Sequence, residues 1–100
     1  MPARVFITRR MPSGGLAPEV LPQLFPLLTE LRALAMRQPG YISGETLRNQ
    51  EDRREYLVIS TWKTVDDWNR WFHSEERARL QAKVDALLGT VAQYKIFIEE

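Results

Sequence analysis

The sequence predicts an α+β fold: one four-stranded antiparallel sheet with its helices on a single face, in the split βαβ, ferredoxin-like arrangement. Three observations predict it. Extended runs rich in β-branched and aromatic residues occur at the start of the chain, twice in the middle and at the end. Stretches with apolar residues at helical spacing separate the first run from the second and the third from the fourth. The two middle runs are joined by the polar stretch Asn49-Gln50-Glu51-Asp52-Arg53, which has the length of a hairpin loop. With 100 residues the chain has room for one modest core, so 1–100 reads as a single domain.

Each element follows from local chemistry. Val5-Phe6-Ile7-Thr8 makes Ala3 to Arg9 a strand, and Met11-Pro12-Ser13-Gly14-Gly15 breaks it. From Ala17 to Gln38, Leu24, Leu27, Leu28, Leu31, Leu34 and Ala35 recur at i, i+3, i+4 and form one buried stripe. Pro18, Pro22 and Pro26 lie four apart, and each lacks the donor that an interior helical residue supplies. The spacing predicts a short first turn, an offset near Pro22 or Pro26, and regular helix from about Leu24. Pro39-Gly40 ends that helix. Tyr41 to Arg48 and Arg54 to Trp62 form the hairpin. Thr64 caps a short helix with Asp66 and Asp67 in its first turn and Val65, Trp68, Trp71 and Phe72 on its apolar face. Ser74 opens a further helix carrying Leu80, Val84, Leu87 and Leu88, which Gly89 closes. Val91 to Ile98 is the last strand, with Tyr94, Ile96 and Ile98 on one face and Val91 and Phe97 on the other.

Composition removes most chemistries. Lys plus Arg number 14 against 13 Asp plus Glu, a net of +1, which argues against a nucleic-acid partner. No apolar run approaches the ~20 residues of a membrane span, and Met1-Pro2-Ala3-Arg4 has no signal-peptide core, so the expected location is cytoplasmic. Zero cysteines exclude disulfides and thiolate nucleophiles, and a single histidine excludes a histidine-cluster metal centre. Ser13-Gly14-Gly15 lacks the lysine and spacing of a phosphate loop.

The sheet's second face carries its own expectation. A sheet with helices on one side normally alternates apolar-in with polar-out. Here Tyr56, Val58 and Trp62 share one face of the third strand while Leu57 and Ile59 share the other. A patch of that kind is larger than monomers usually leave wet, and a C2 homodimer packed through its sheet faces would cover it. The alternative is a monomer whose outer face is simply half apolar.

Taken together, Val5-Phe6-Ile7-Thr8-Arg9, Gln38-Pro39-Gly40-Tyr41-Ile42, Tyr56 to Trp62 and Trp68-Asn69-Arg70-Trp71 resemble the antibiotic biosynthesis monooxygenase (ABM) domain over about Ala3 to Ile98. The resemblance implies a dimeric α+β barrel, with a pocket in each subunit between its helices and its own sheet. One branch of that family contains cofactor-free oxygenases of polycyclic phenols or quinols, whose deprotonated substrate itself reduces O2. A second branch degrades haem using an Asn on the first strand, a Trp ending the third and a His on the last helix. Trp62 matches the Trp, but the Asn position falls near Arg9 and the His position near Gln81 or Lys83. Haem is therefore not expected, and no cofactor is.

The expected function is a cofactor-independent monooxygenase acting on a small flat aromatic, with a non-catalytic dimeric binding module as the alternative. Trp62 would shape the pocket by stacking, and Trp68, Trp71 and Tyr41 would join it, although each has a plain reading as core packing. Arg9 would hold a phenolate or carboxylate through its planar fork; its alternative is a solvated strand-end arginine. His73, the one side chain titrating near neutrality unaided, is the candidate base, or else a solvated histidine at a helix end.

Overall fold

The computed structural model describes residues 1–12 and 15–100. The turn expected at Met11 to Gly15 therefore falls partly on Ser13 and Gly14, outside the described residues. The elements run β1 (Ala3–Arg10), α1 (Leu21–Met36), β2 (Tyr41–Arg48), β3 (Glu55–Trp62), α2 (Val65–Phe72), α3 (Glu75–Leu88) and β4 (Gln93–Ile98). The four strands form one antiparallel sheet in the order β2-β3-β1-β4. This is the α+β, ferredoxin-like order, since each βαβ unit leaves a gap that the other's strand fills. No helix among the described residues is long and apolar enough to cross a membrane.

The caps are those the sequence specifies. Thr64 accepts from the Asp67 amide at 3.1 Å and Ser74 from the Arg77 amide at 3.2 Å, satisfying donors at the helix starts. Gly89 takes φ +71° and its N–H reaches the Asp85 carbonyl at 2.8 Å, closing α3.

Beyond one-residue differences at the end of β1 and the start of β3, three features depart from expectation. The expected short first turn is present at Pro18–Val20, and regular helix α1 follows from Leu21, ahead of the expected Leu24, and ends at Met36 rather than Gln38. Pro22 thereby falls in the first turn, where a missing N–H costs nothing, and Pro26 forfeits only the bond to the Pro22 carbonyl. Strand β4 begins at Gln93 rather than Val91, because Thr90 Oγ1 donates to the Arg10 carbonyl at 3.1 Å and takes the place of a ladder bond. Strand β2 contains a bulge: Tyr41 pairs with Trp62 and Ser43 with Thr61, leaving Ile42 as the extra residue. The bulge shifts side-chain parity, so Tyr41 joins Gly44 and Thr46 on one face of the sheet.

Register sorts the two faces. Ala3, Val5, Ile7 and Arg9 lie beside Tyr56, Val58, Ser60 and Trp62 on the face towards the helices. The buried core lies between this face and Leu24, Leu31, Trp68, Trp71, Leu80, Val84 and Leu88 from the helices. The outer face carries Phe6, Leu57 and Ile59, half-buried, with Leu47 and Phe97 exposed. Phe6 and Phe97 meet edge to face at 5.1 Å.

Candidate functional site

The core between helices and sheet is not filled. A cavity of about 320 Å³ remains, at the small end of the ~300–1,000 Å³ typical of small-molecule sites. Its floor is the helix-facing side of β1 and β3, its walls are residues of α1, α2 and α3, and β2 contributes Tyr41 and Gly44. The lining is mostly apolar and aromatic, and the polar groups in it are few and specific.

One side is a ladder of rings. Tyr41 stands edge-on to Trp62 at 5.3 Å, and Trp62 meets Trp68 at 5.7 Å. Trp62 is essentially fully buried, and its indole N–H donates to Ser60 Oγ at 3.0 Å, which fixes the ring's rotamer. Gly44 is small for a reason: a Cβ there would collide with the Tyr41 hydroxyl. Trp71, three residues beyond Trp68 on α2, reaches the same space.

The polar side is built on α3. Arg77, Gln81 and Asp85 are spaced four apart, so successive turns place them on one stripe. Arg9, the last helix-facing residue of β1, meets this stripe. Its Nη2 donates to Gln81 Oε1 at 3.2 Å, and Gln81 Nε2 in turn donates to Asp85 Oδ1 at 2.7 Å. The other terminal nitrogen of Arg9, Nη1, is buried and has no partner among the described residues. Burial holds the Arg9 guanidinium below its ordinary pKa; Tyr94 and Asp85 pull it back up and Arg77 pushes it further down.

Arg77 is also buried and is also lowered chiefly by burial, with Tyr94 opposing. Its guanidinium lies 4.3 Å over the Phe72 ring, donates to the Phe72 carbonyl at 3.3 Å and donates to the Tyr94 hydroxyl. Neither Arg9 nor Arg77 forms an ion pair among the described residues, whereas Arg10, at the rim, is neutralised by Asp52 and Glu55. The cavity is thus an apolar slot with net positive charge at one end.

Of the residues singled out from sequence, Arg9, Tyr41, Trp62, Trp68 and Trp71 all line this cavity, and His73 does not. His73 is exposed at the end of α2, where its Nδ1–H donates to the Asn69 carbonyl at 2.9 Å and its ring edge meets Phe72. A carbonyl only accepts, so that bond assigns the ring proton to Nδ1. Sequence reasoning missed Arg77, Ser60 and any part for Gln81 beyond marking a haem-branch position. The signal was a cation and an amide within the buried stripe 77, 80, 81, 84, 88 of α3. The positions nearest the haem branch's Asn and His, Arg9 and Gln81, are hydrogen-bonded to each other. No imidazole or thiolate lines the cavity, and no group of three His, Cys, Asp or Glu suited to a metal occurs among the described residues.

The family model described as antibiotic biosynthesis monooxygenase matches residues 16–83. Comparison with curated proteins gives no match. Among solved structures, a point mutant of SnoaB, a cofactor-independent oxygenase from Streptomyces nogalater, is similar with a TM-score of 0.79 at 17% identity, over 99% of this chain and 93% of that one. A conserved protein from Methanosarcina mazei is similar with a TM-score of 0.81 at 14% identity, covering 100% and 94%. The Mycobacterium tuberculosis protein Rv0793 is similar with a TM-score of 0.77 at 16% identity, covering 100% and 96%. At these identities the likeness to solved structures is one of fold.

Proposed function

This chain belongs to the antibiotic biosynthesis monooxygenase family, and we propose that it is a cofactor-independent monooxygenase of a flat, electron-rich phenol or quinol bound in the cavity. One observation carries the reading: a buried guanidinium N–H of Arg9 has no acceptor among the described residues, at the end of a slot walled by tryptophans. A buried donor without a partner costs roughly 1–3 kcal/mol, and an oxyanion placed there removes that cost. The structurally similar SnoaB is itself a cofactor-independent oxygenase, which favours the same class of chemistry here.

The chemistry asks little of the protein. Trp62, Trp68, Trp71 and Tyr41 sandwich the ring and keep water out. Arg9 stabilises the phenolate, whose proton is left to bulk water as the phenol enters the slot. The electron-rich phenolate then transfers an electron to O2, and the two radicals combine at the ring carbon para to the oxygen. Loss of hydroxide from the resulting peroxide, together with the carbon's proton, leaves a quinone. The net change is phenol plus O2 to quinone plus water: one oxygen atom enters the ring and the other leaves as water. Arg9 acts by stabilising developing negative charge, the largest single contribution in many active sites. His73, outside the slot, has no part in this scheme.

Residues 1–100 act as one domain in a cytoplasmic homodimer, the outer sheet face of one copy covering that of the other. Phe6, Leu57, Ile59 and Phe97 form the apolar patch that supports this assembly. The functional test is oxygen uptake by the metal-stripped protein with a panel of naphthols and anthrone-type quinols. Uptake that Arg9→Gln abolishes supports the reading. Binding without uptake for every panel member would instead leave a non-catalytic binding module.

A further inference from the structure

The oxyanion role gives Arg9 a charge to use, and the contacts around it say how that charge is kept available. Asp85 carboxylate oxygens only accept hydrogen bonds, so the Gln81 amide must point its NH2 group towards Asp85. Its carbonyl oxygen is then committed to Arg9, 3.2 Å away. Arg9 is thus held by a neutral acceptor at one nitrogen, with the other left without a partner among the described residues. Gln81 is itself 7% exposed and cannot turn to water for an alternative partner.

We propose that Gln81 is the residue that sets the charge of ligand the cavity selects: as a neutral, Asp85-oriented partner it leaves Arg9 to recognise a planar oxyanion on an aromatic ring. A carboxylate at this position would satisfy Arg9 from inside the protein and turn the slot over to neutral rings. Gln81 is therefore a positioning residue, acting on the ligand only through Arg9. The lowered pKa of Arg9 agrees, since burial outweighs the pull of Asp85 and a cation with no ion pair among the described residues gains from an anion. The inference rests on the cavity being a binding site for aromatic rings.

The test uses the intact protein and two nearly isosteric probes, 2-naphthoate and 2-naphthamide, with affinities read from quenching of the lining tryptophans. 1-Naphthol, titrated across pH, serves as a third probe that separates phenolate from carboxylate recognition. Wild type is expected to bind naphthoate at least about tenfold more tightly than naphthamide, as for a hydrogen bond to a charged group. Gln81→Glu should erase or reverse that ratio while naphthamide still binds. Asp85→Asn, which frees the amide to flip, should reduce it and serves as the second variant if Gln81→Glu does not fold. Equal binding of both probes to wild type, or an unchanged ratio in the folded variants, overturns the role of Gln81 and leaves the ring site standing. Failure of all three probes to bind overturns the ring site and this inference together.

Discussion

Replacing Trp62 by Phe removes one hydrogen-bond donor and part of one ring from the largest of the fully buried side chains. The indole N–H of Trp62 is the partner of Ser60 Oγ at 3.0 Å, and Ser60 is only 7% exposed. The orphaned hydroxyl then costs about 1–2 kcal/mol. Weakened edge contacts with Tyr41 and Trp68 cost about 1 kcal/mol more. A sum of about 2–3 kcal/mol, at roughly 4–8 °C per kcal/mol for a domain of this size, lowers the melting temperature by on the order of 15 °C. Ser60→Ala alone should cost about 1–2 kcal/mol, because it strands the indole N–H instead. The double variant removes both partners, so it should be about 1 kcal/mol more stable than the sum of the single losses implies. Urea unfolding of the four proteins at one fixed concentration measures that coupling. Losses that add to within about 0.5 kcal/mol would refute the bond as a contributor to stability.

Gly44→Ala places a methyl group against the Tyr41 hydroxyl and should cost about 1–3 kcal/mol by overpacking; Tyr41→Phe in the same chain should recover most of that in thermal melts. The Asp52 carboxyl is held below its ordinary range, first by the Arg54 backbone N–H, against an opposing effect of desolvation, and further by the Arg10 and Arg54 side chains. A carboxyl with a depressed folded-state pKa stabilises above its unfolded value and loses that contribution as pH falls. Stability should therefore drop as the pH goes below about 4, and Asp52→Asn should flatten that part of the profile in acid titrations followed by circular dichroism. Light scattering should give wild type the mass of two chains and Phe97→Glu the mass of one; a single-chain mass for wild type would remove the proposed sheet-to-sheet assembly.

The fold was readable because its punctuation is local. Thr64, Ser74 and Gly89 act within one turn of themselves, and Pro39-Gly40 ends α1 without help from distant residues. What sequence could not show depends on partners far along the chain. The bulge at Ile42 exists only in the pairing of β2 with β3, yet it brings Tyr41 to the same face as Gly44. The start of β4 is set by a hydroxyl of Thr90 reaching the carbonyl of Arg10, at the far end of the chain. In the site, strand parity grouped Trp62 with Val58, whereas Arg9 came to notice through the family resemblance and lies beside Val5 and Ile7 on the same face. Arg77 and Gln81 were hidden because a polar residue among helical apolar positions reads as surface until the β1 arginine facing it is known. His73 drew notice through its titration range, a property of the side chain alone, while its position beyond the end of α2 keeps it out of the slot.

The central claim is that the slot stabilises an aromatic oxyanion through Arg9, and the ionisation of a bound phenol tests it most directly. With oxygen excluded, the absorbance of 1-naphthol bound to the protein reports its phenolate fraction as pH is raised. An opposite charge within hydrogen-bond distance should bring ionisation about 1–3 pH units below that of free naphthol, and Arg9→Gln should return it to the free value or above. A bound naphthol that ionises at the same pH as in water, or higher, in the wild-type protein would contradict the account.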